Sequence, residues 1–183
     1  GIFRADVDGN TTYVNRRWCE IARVSRDDAL GNGWLQTVHP DDQAKLAEGW
    51  QKAVRKRAPS RAEYRFLHPD GTITWVIGQA SPETDQEGRV IGYVGTVTDI
   101  TEGKQAEEEI VRLGRIHTVI SQINQAIVRL RSQEELFEEV CRIAVHYGKF
   151  LMAWVGLIDA REHIVRPIVW NGVEEGYLTR FEK

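Results

Sequence analysis

Apolar and polar residues alternate in five stretches of the first hundred residues, and a period of two is typical of half-buried strands. The first two stretches flank Asp8-Gly9-Asn10, a tight-turn sequence that predicts a β-hairpin. The turn sequence His68-Pro69-Asp70-Gly71 separates the third stretch from the fourth, so we expect one antiparallel sheet. The five predicted strands are residues 2–8, 11–15, 61–67, 72–81 and 90–99.

Three helices are predicted between the second and third strands. Asn15 is a suitable N-cap for a helix over residues 15–22, and Ser25 followed by Asp28 resembles a capping box. The third and longest helix begins at Pro40, because proline is well tolerated in the first helical position. The order of the elements predicts an α+β fold, in which a five-stranded antiparallel sheet carries helices on one face.

The segment VGTVTDITEGKQAEEEIVRL, residues 94–113, passes from a strand pattern to a helical pattern without a turn between them. Helical spacing of apolar residues continues to Arg131, which predicts a helix about 46 Å long over residues 101–131. Written as heptads, the helix has two mainly apolar positions. Ile110, His117, Asn124 and Arg131 share one position, and Leu113, Ile120 and Ile127 share the other.

This heptad pattern predicts that the long helix forms a parallel homodimer. His117 and Asn124 share one heptad position, and buried polar residues there select a two-stranded register at a cost in stability. The alternative is that both side chains face solvent on a helix that packs against another element.

A smaller group of elements follows the long helix. Ser132 and Glu135 form a capping-box sequence that predicts a helix ending near Gly148. An almost continuously apolar strand FLMAWVGLID, a turn AREH, a strand IVRPIVWNG and the start of a helix in EEGYLTRFEK come next. Two strands and a helix do not make an independent domain, so we expect this part to be incomplete.

Composition argues against several classes of partner. The formal net charge is −3, and Lys and Arg residues alternate with acids, so neither nucleic acid nor an anionic membrane is an expected partner. No apolar run reaches the length of a membrane span. Cys19 and Cys141 lie in apolar helical segments, which indicates packed thiols and a cytoplasmic location. His39, Asp41 and Asp42 fit a helix N-terminus better than a metal site, so no metal is expected.

Three segments together resemble a PAS domain with its C-terminal PAC segment: GWLQTVHPDD, YRFLHPDGTITWV and GRVIGYVGTVTDITEGKQAEEE. The segments EELFEEVCRIAVHYGKFLMAWVGLID and VRPIVWNGVEEGYL resemble the N-terminal half of a GAF domain. The resemblance implies a PAS/PAC sensor domain over residues 1–102, a signalling helix over 103–131 and a truncated GAF-like α/β part over 132–183.

The resemblance also implies a function. Such a chain is the sensory and dimerisation module of a signalling protein whose output domain is a histidine kinase or a cyclic-di-nucleotide cyclase or phosphodiesterase. The module itself is not an enzyme, and no nucleophile with a base, and no carboxylate pair, converges on one predicted cleft. The alternative is a redox or gas sensor that holds flavin or haem noncovalently, which a visible absorption band would reveal.

The residues that would bind a cofactor in related sensors differ here. Trp34 stands where related flavin photosensors carry a reactive Cys, and Val97 stands where they carry a Gln, so light-driven adduct formation is not expected. Residues 41–57 contain no His to ligate a haem. No cofactor is therefore expected, and a mostly apolar pocket is either filled by side chains or open to a small apolar ligand or a flavin. The resemblance implies that its lining is Trp34, Tyr64, Phe66, Val76, Gly78, Gly95 and Val97.

The passage from strand to helix is the expected signal relay. Asp99, Ile100 and Thr101 form this joint, in which Asp99 or Thr101 could bond the free N–H groups of the helix. Without a loop, a change in sheet twist would displace the start of the helix. Gly103 departs from the family pattern and would loosen the first turn. The simpler interpretation is a well-capped helix that follows a strand and carries no signal.

Overall fold

The structure is a computed structural model that describes residues 1–159 and 164–178. The chain divides into two compact units, Gly1–Ala106 and Glu107–Lys183. The division falls inside the long helix, four residues after the boundary at 102 that the resemblance implies.

The first unit contains the predicted five-stranded antiparallel sheet, which is confirmed. The strand order is β2-β1-β5-β4-β3. The last strand of this unit in sequence, β5, is therefore the central strand, and the first, β1, lies beside it. In register, Phe3 of β1 lies opposite Gly95 of β5, and Tyr64 of β3 lies opposite Val76 of β4. The strands are β1 Ile2–Ala5, β2 Thr11–Val14, β3 Ser60–Leu67, β4 Ile73–Thr84 and β5 Val90–Asp99.

The helices between β2 and β3 begin where their capping residues indicate. The Asn15 side chain accepts a hydrogen bond from the N–H of Trp18, and the Ser25 hydroxyl accepts one from the N–H of Asp28. Pro40 is the first residue of the longest of them. The helices are α1 Arg16–Ala22, α2 Arg26–Ala29 and α3 Pro40–Lys56, and a 3₁₀ helix, Gly33–Thr37, lies between α2 and α3.

The core of the first unit lies between the sheet and these helices. Trp18 of α1 packs edge-on against Phe66 of β3, with ring centroids 5.8 Å apart, and Phe66 packs edge-on against Tyr64 at 5.4 Å. Val76 and Val97 complete the buried face of the sheet. Burial of these large side chains supplies most of the driving force for folding this unit.

The long helix, α4, runs without interruption from Thr101 to Arg129. It ends two residues before the predicted end at Arg131. Ser132 then caps the next helix, because its hydroxyl accepts a hydrogen bond from the N–H of Glu135. The remaining elements are α5 Gln133–His146, β6 Met152–Asp159 and β7 Ile164–Gly172.

The second unit packs α5 on a two-stranded antiparallel sheet of β6 and β7. Cys141 and Ile143 of α5 are fully buried there, and Ala126 of α4 is buried as well. The predicted turn AREH, residues 160–163, lies outside the described residues. The predicted C-terminal helix does not begin at 174–177, which form a turn, and residues 179–183 lie outside the described part.

Candidate functional site

A cavity lies between the inner face of the sheet and the helices of the first unit. Its volume is about 60 Å³, counted as the space that the centre of a water-sized sphere can reach. A buried water needs about 10–15 Å³ by this measure, so the cavity has room for a few waters or a small ligand. The lining residues are Phe3, Thr11, Trp18, Trp34, Leu46, Trp50, Ser60, Ala62, Tyr64, Gly78, Gln79, Ala80 and Val97.

Four of the seven predicted pocket residues line the cavity, and three do not. Trp34, Tyr64, Gly78 and Val97 line the cavity. Phe66 and Val76 are fully buried in the adjoining core and do not border the cavity. Gly95 lies beneath the ring of Phe3, where an added Cβ would collide with that ring.

Several lining residues were not identified from the sequence, because they come from elements far apart in the chain. Thr11 lies on β2, Trp18 on α1 and Trp50 on α3. Trp50 donates a hydrogen bond from Nε1 to the carbonyl oxygen of Gly9 at 2.9 Å, which ties α3 to the β1–β2 turn. The helical spacing of apolar residues along α3 could have indicated that Trp50 faces the sheet. No sequence pattern indicates that Thr11 is buried.

The cavity does not fit a flavin or a haem as its side chains stand. Sites for ligands of that size occupy about 300–1,000 Å³, far more than the space available here. Among the lining residues none is His, Cys or Met, so none can serve as a usual axial ligand to haem iron.

The joint between β5 and α4 is fixed to the neighbouring strand β4. The N–H of Ile100 donates to the carbonyl oxygen of Trp75 at 2.9 Å, and the hydroxyl of Thr101 accepts from the N–H of Trp75 at 3.0 Å. The carboxylate of Asp99 accepts from the N–H of Thr101 at 2.9 Å. The backbone N–H of Ile100 and the hydroxyl of Thr101 therefore extend the strand ladder to the first residues of the helix, and Asp99 caps the first turn.

The outer side of the sheet near this joint carries a cluster around Trp75. Lys104 of α4 lies 5.6 Å above the Trp75 ring, and its Nζ is 2.9 Å from Oε2 of Glu63 on β3. The guanidinium of Arg65 lies 5.5 Å from the same ring. Trp75 and Ile77 are both half-buried, and Trp75 lies against charged side chains.

Arg65 also connects β3 to the start of α3. Its Nε and Nη2 donate to the two carboxylate oxygens of Asp42 at 2.8 and 2.7 Å, and its backbone N–H donates to the same carboxylate at 3.0 Å. The side-chain hydrogen bonds from Arg65 hold the pKa of Asp42 below its ordinary value, against the opposing effect of burial.

His39, Asp41 and Asp42 do not converge on a common point. The Nδ1 of His39 accepts from the N–H of Asp41 at the start of α3, whereas Asp42 binds Arg65. Within residues 1–159 and 164–178, no group of three or more His, Cys, Asp or Glu side chains could hold a metal ion.

His68, at the end of the β3 ladder, is a buried titratable residue that the sequence did not single out. Its Nε2 lies 2.8 Å from Oγ1 of Thr74, and its Nδ1 has no hydrogen-bond partner. Burial, and then the charge of Arg23, lower the pKa of His68 below its ordinary value. The lowered pKa favours the neutral form of this imidazole.

The apolar heptad residues of α4 are exposed in the chain on its own. Ile110, Leu113, Ile120 and Ile127 all carry large exposed fractions. His117 and Asn124 are exposed as well. No helix of the described residues is both long enough and apolar enough to cross a membrane.

Comparison with known families identifies the first unit. Residues 11–97 match the family model described as the PAS fold, so the predicted PAS domain is confirmed. The N-terminal domain of a diguanylate cyclase with PAS/PAC sensor from Marinobacter aquaeolei has the same fold, with a TM-score of 0.51 and 20% sequence identity. That comparison covers 56% of this chain and 96% of the other.

Two curated proteins have related sequences. The uncharacterized protein y4lL of Sinorhizobium fredii is 34% identical over 140 residues, which is 76% of this chain and 17% of y4lL. The C4-dicarboxylate transport sensor protein DctS of Rhodobacter capsulatus is 28% identical over 148 residues, which is 72% of this chain and 22% of DctS. The chain thus spans about a fifth of the length of these relatives.

Proposed function

We propose that the chain is the sensory and dimerisation module of a multidomain cytoplasmic signalling protein and carries out no catalysis itself. The PAS domain detects a signal, and Asp99, Ile100 and Thr101 pass it to α4. An output domain of the histidine kinase or cyclic-di-nucleotide type receives it elsewhere in the native chain. The name of DctS, a transport sensor protein, supports the sensory part of this proposal.

The hydrogen bonds between the joint and Trp75 carry the proposal. Because Thr101 and Ile100 bond to β4, a change in the spacing or twist of β4 and β5 acts directly on the first turn of α4. The ion pair between Lys104 and Glu63 adds a second attachment, one turn further along the helix. An allosteric relay needs a coupling free energy of only about 1–3 kcal/mol, which these contacts can supply.

Dimerisation through α4 is the second part of the proposal. The exposed stripe of Ile110, Leu113, Ile120 and Ile127 is the seam on which a second copy packs in parallel. His117 and Asn124 lie in the same seam and fix its register. Residues 132–183 are the first part of a GAF-like domain, and they follow a signalling helix over residues 103–131.

Hydrogen–deuterium exchange of the Thr101→Val variant tests the relay. Valine preserves the shape of threonine but leaves the N–H of Trp75 without its acceptor. We expect the amides of Trp75 and of residues 101–106 to exchange about tenfold faster. Loss of one hydrogen bond makes local opening easier by about that factor.

Thr98→Val is the matched control, because Thr98 is exposed on β5 and its hydroxyl makes no hydrogen bond within the described chain. It should leave both regions unchanged. If Thr101→Val also leaves exchange at Trp75 and in the first turns of α4 unchanged, the joint does not couple sheet to helix and the proposal fails.

A further inference from the structure

Three buried polar groups that line the cavity have no hydrogen-bond partner in the described protein. Thr11, Trp18 and Tyr64 are only 7%, 3% and 6% exposed, and all three border the cavity. The Oγ1 of Thr11, the Nε1 of Trp18 and the Oη of Tyr64 bond to no described residue. Buried polar groups are normally paired, so three unpaired ones around one cavity indicate a missing partner.

None of these three atoms is sealed from open space. Among the described residues, Nδ1 of His68 is the only buried side-chain polar atom that is both unpaired and sealed from any space. The unpaired atoms of Thr11, Trp18 and Tyr64 therefore border open space, and the cavity is the space that all three residues share. A molecule inside the cavity could bond to them.

The lining determines the charge of that molecule. None of the lining residues is Asp, Glu, Lys, Arg or His. An ionised ligand would lose its hydration without gaining a counter-charge, which is strongly unfavourable. Burial raises the pKa of Tyr64 well above its ordinary value, so its phenol remains neutral and protonated. The pocket therefore selects a neutral ligand.

The polar groups determine what the ligand must carry. An indole N–H can only donate, so Trp18 requires an acceptor atom. The hydroxyls of Tyr64 and Thr11 can donate or accept. A carbonyl or hydroxyl oxygen satisfies this set, while the rings of Trp34 and Trp50 offer apolar surface to the rest of the molecule.

We propose that the cavity binds a small neutral molecule of about five or six non-hydrogen atoms that carries a carbonyl or hydroxyl oxygen. The oxygen is held by Nε1 of Trp18, with Oη of Tyr64 and Oγ1 of Thr11 as further partners. This inference deepens the proposed function and rests on it for the sensory role of the pocket.

Titration of the 183-residue chain with four small probes tests the inference, using the ¹H–¹⁵N signals of the tryptophan indoles, assigned by through-bond experiments. Cyclopentanone should shift the indole N–H of Trp18 saturably, as expected for a new hydrogen bond. Cyclopentane should bind about tenfold more weakly, because it lacks the acceptor. Pyrrolidine, a cation at neutral pH, and propionate, an anion, should give no saturable shift.

Two variants locate the binding groups. Tyr64→Phe and Thr11→Val should each weaken cyclopentanone binding about fivefold to tenfold and leave cyclopentane binding unchanged. Tyr13→Phe and Thr12→Val are the matched controls, since both residues lie on β2 and neither lines the cavity. If Tyr64→Phe does not fold, comparison of Thr11→Val with Thr12→Val tests whether the lining hydroxyls bind the ligand.

The inference is overturned if cyclopentanone gives no saturable shift, if cyclopentane binds as tightly, or if a charged probe binds as well. Equal affinity of the wild type and both pocket variants for cyclopentanone also overturns it. Failure of the relay is recognised separately, because the exchange experiment on Thr101→Val contains no ligand. If the chain binds cyclopentanone but Thr101→Val does not change hydrogen exchange, the pocket inference stands and the relay proposal is rejected.

Discussion

At the scale of single residues, the contact between Asp42 and Arg65 joins the edge strand β3 to the first turn of α3. One carboxylate receives three hydrogen bonds from one arginine, including its backbone N–H. Two-point contact between guanidinium and carboxylate is stronger than a single ion pair. The pair therefore stabilises both the edge strand and the start of the helix.

Replacing Asp42 by asparagine should destabilise the fold by about 1 kcal/mol at neutral pH, since partial exposure to water limits the strength of the pair. The folded state lowers the pKa of Asp42, so this stabilisation is fully present above the ordinary aspartate value of 3.8. It is lost as the pH falls through the lower pKa of the folded state. Urea denaturation at neutral and acidic pH measures the difference.

Asp41→Asn is the control for that experiment. Its side chain is 73% exposed, against 24% for Asp42, and lies 3.6 Å from the same arginine. We expect Asp41→Asn to have a much smaller effect on the free energy of unfolding than Asp42→Asn. Equal effects of the two variants would show that the geometry of the Asp42 pair does not matter.

At the scale of elements, the first turn of α4 is hydrogen-bonded to its neighbours but contains one residue, Gly103, that lowers its helical stability. Lys104 donates its N–H to the carbonyl oxygen of Ile100, which starts the helical ladder. Gly103 lies inside this turn, and an added Cβ there would meet no atom within 4 Å. Because glycine has more freedom in the unfolded chain, it lowers the stability of the turn without any packing reason.

Gly103→Ala should therefore stabilise the helix by about 0.5–1 kcal/mol and slow hydrogen exchange over residues 101–106. Gly114→Ala is a matched substitution further along α4, where an added Cβ also meets nothing within 4 Å. It should slow exchange around residue 114 and leave the joint unchanged. Slower exchange at the joint in both variants would mean that α4 opens as one unit rather than at its first turn.

Local signals predicted the elements of the first unit well. Asn15, Ser25 and Pro40 each mark a helix start through a bond or a conformation that depends only on nearby residues. The 3₁₀ helix at Gly33–Thr37 was not predicted, because so short an element has no measurable periodicity.

The site was less accessible to sequence reasoning. The resemblance to the PAS fold, combined with the alternation along β3 and β5, identified Tyr64 and Val97. Thr11 and Trp18 lie on the same cavity only because β2 and α1 pack there, and no local pattern encodes that packing. The pairing of Glu63 with Lys104 likewise joins residues far apart in sequence, so it depends on the strand order.

At the scale of the whole molecule, α4 has two faces with different surroundings. Ala126 is buried within the second unit, and Val119 and Ile123 on the same side are partly buried. Ile120 and Ile127 lie about a quarter turn away around the helix and are exposed. One apolar stripe is thus buried within the second unit, and a neighbouring apolar stripe, the proposed dimer seam, is exposed.

Sedimentation of variants tests the proposed dimer. Ile120→Asp places a charge in the seam and should convert the dimer to a monomer, whereas Val111→Asp, one position outside the seam, should leave it intact. Asn124→Leu should raise the stability of the assembly and broaden its oligomeric state, because the register-fixing polar residue is lost. A single unchanged dimer for all three variants would contradict the seam.

The central claim is that β5 and the start of α4 move as one rigid piece. Backbone ¹⁵N relaxation measures this directly, by comparing order parameters at residues 99–104 with those of β5. The account predicts values near 0.85 in both segments, as in rigid backbone. Values below about 0.6 at residues 99–104, with β5 remaining rigid, would show a mobile hinge and contradict the relay.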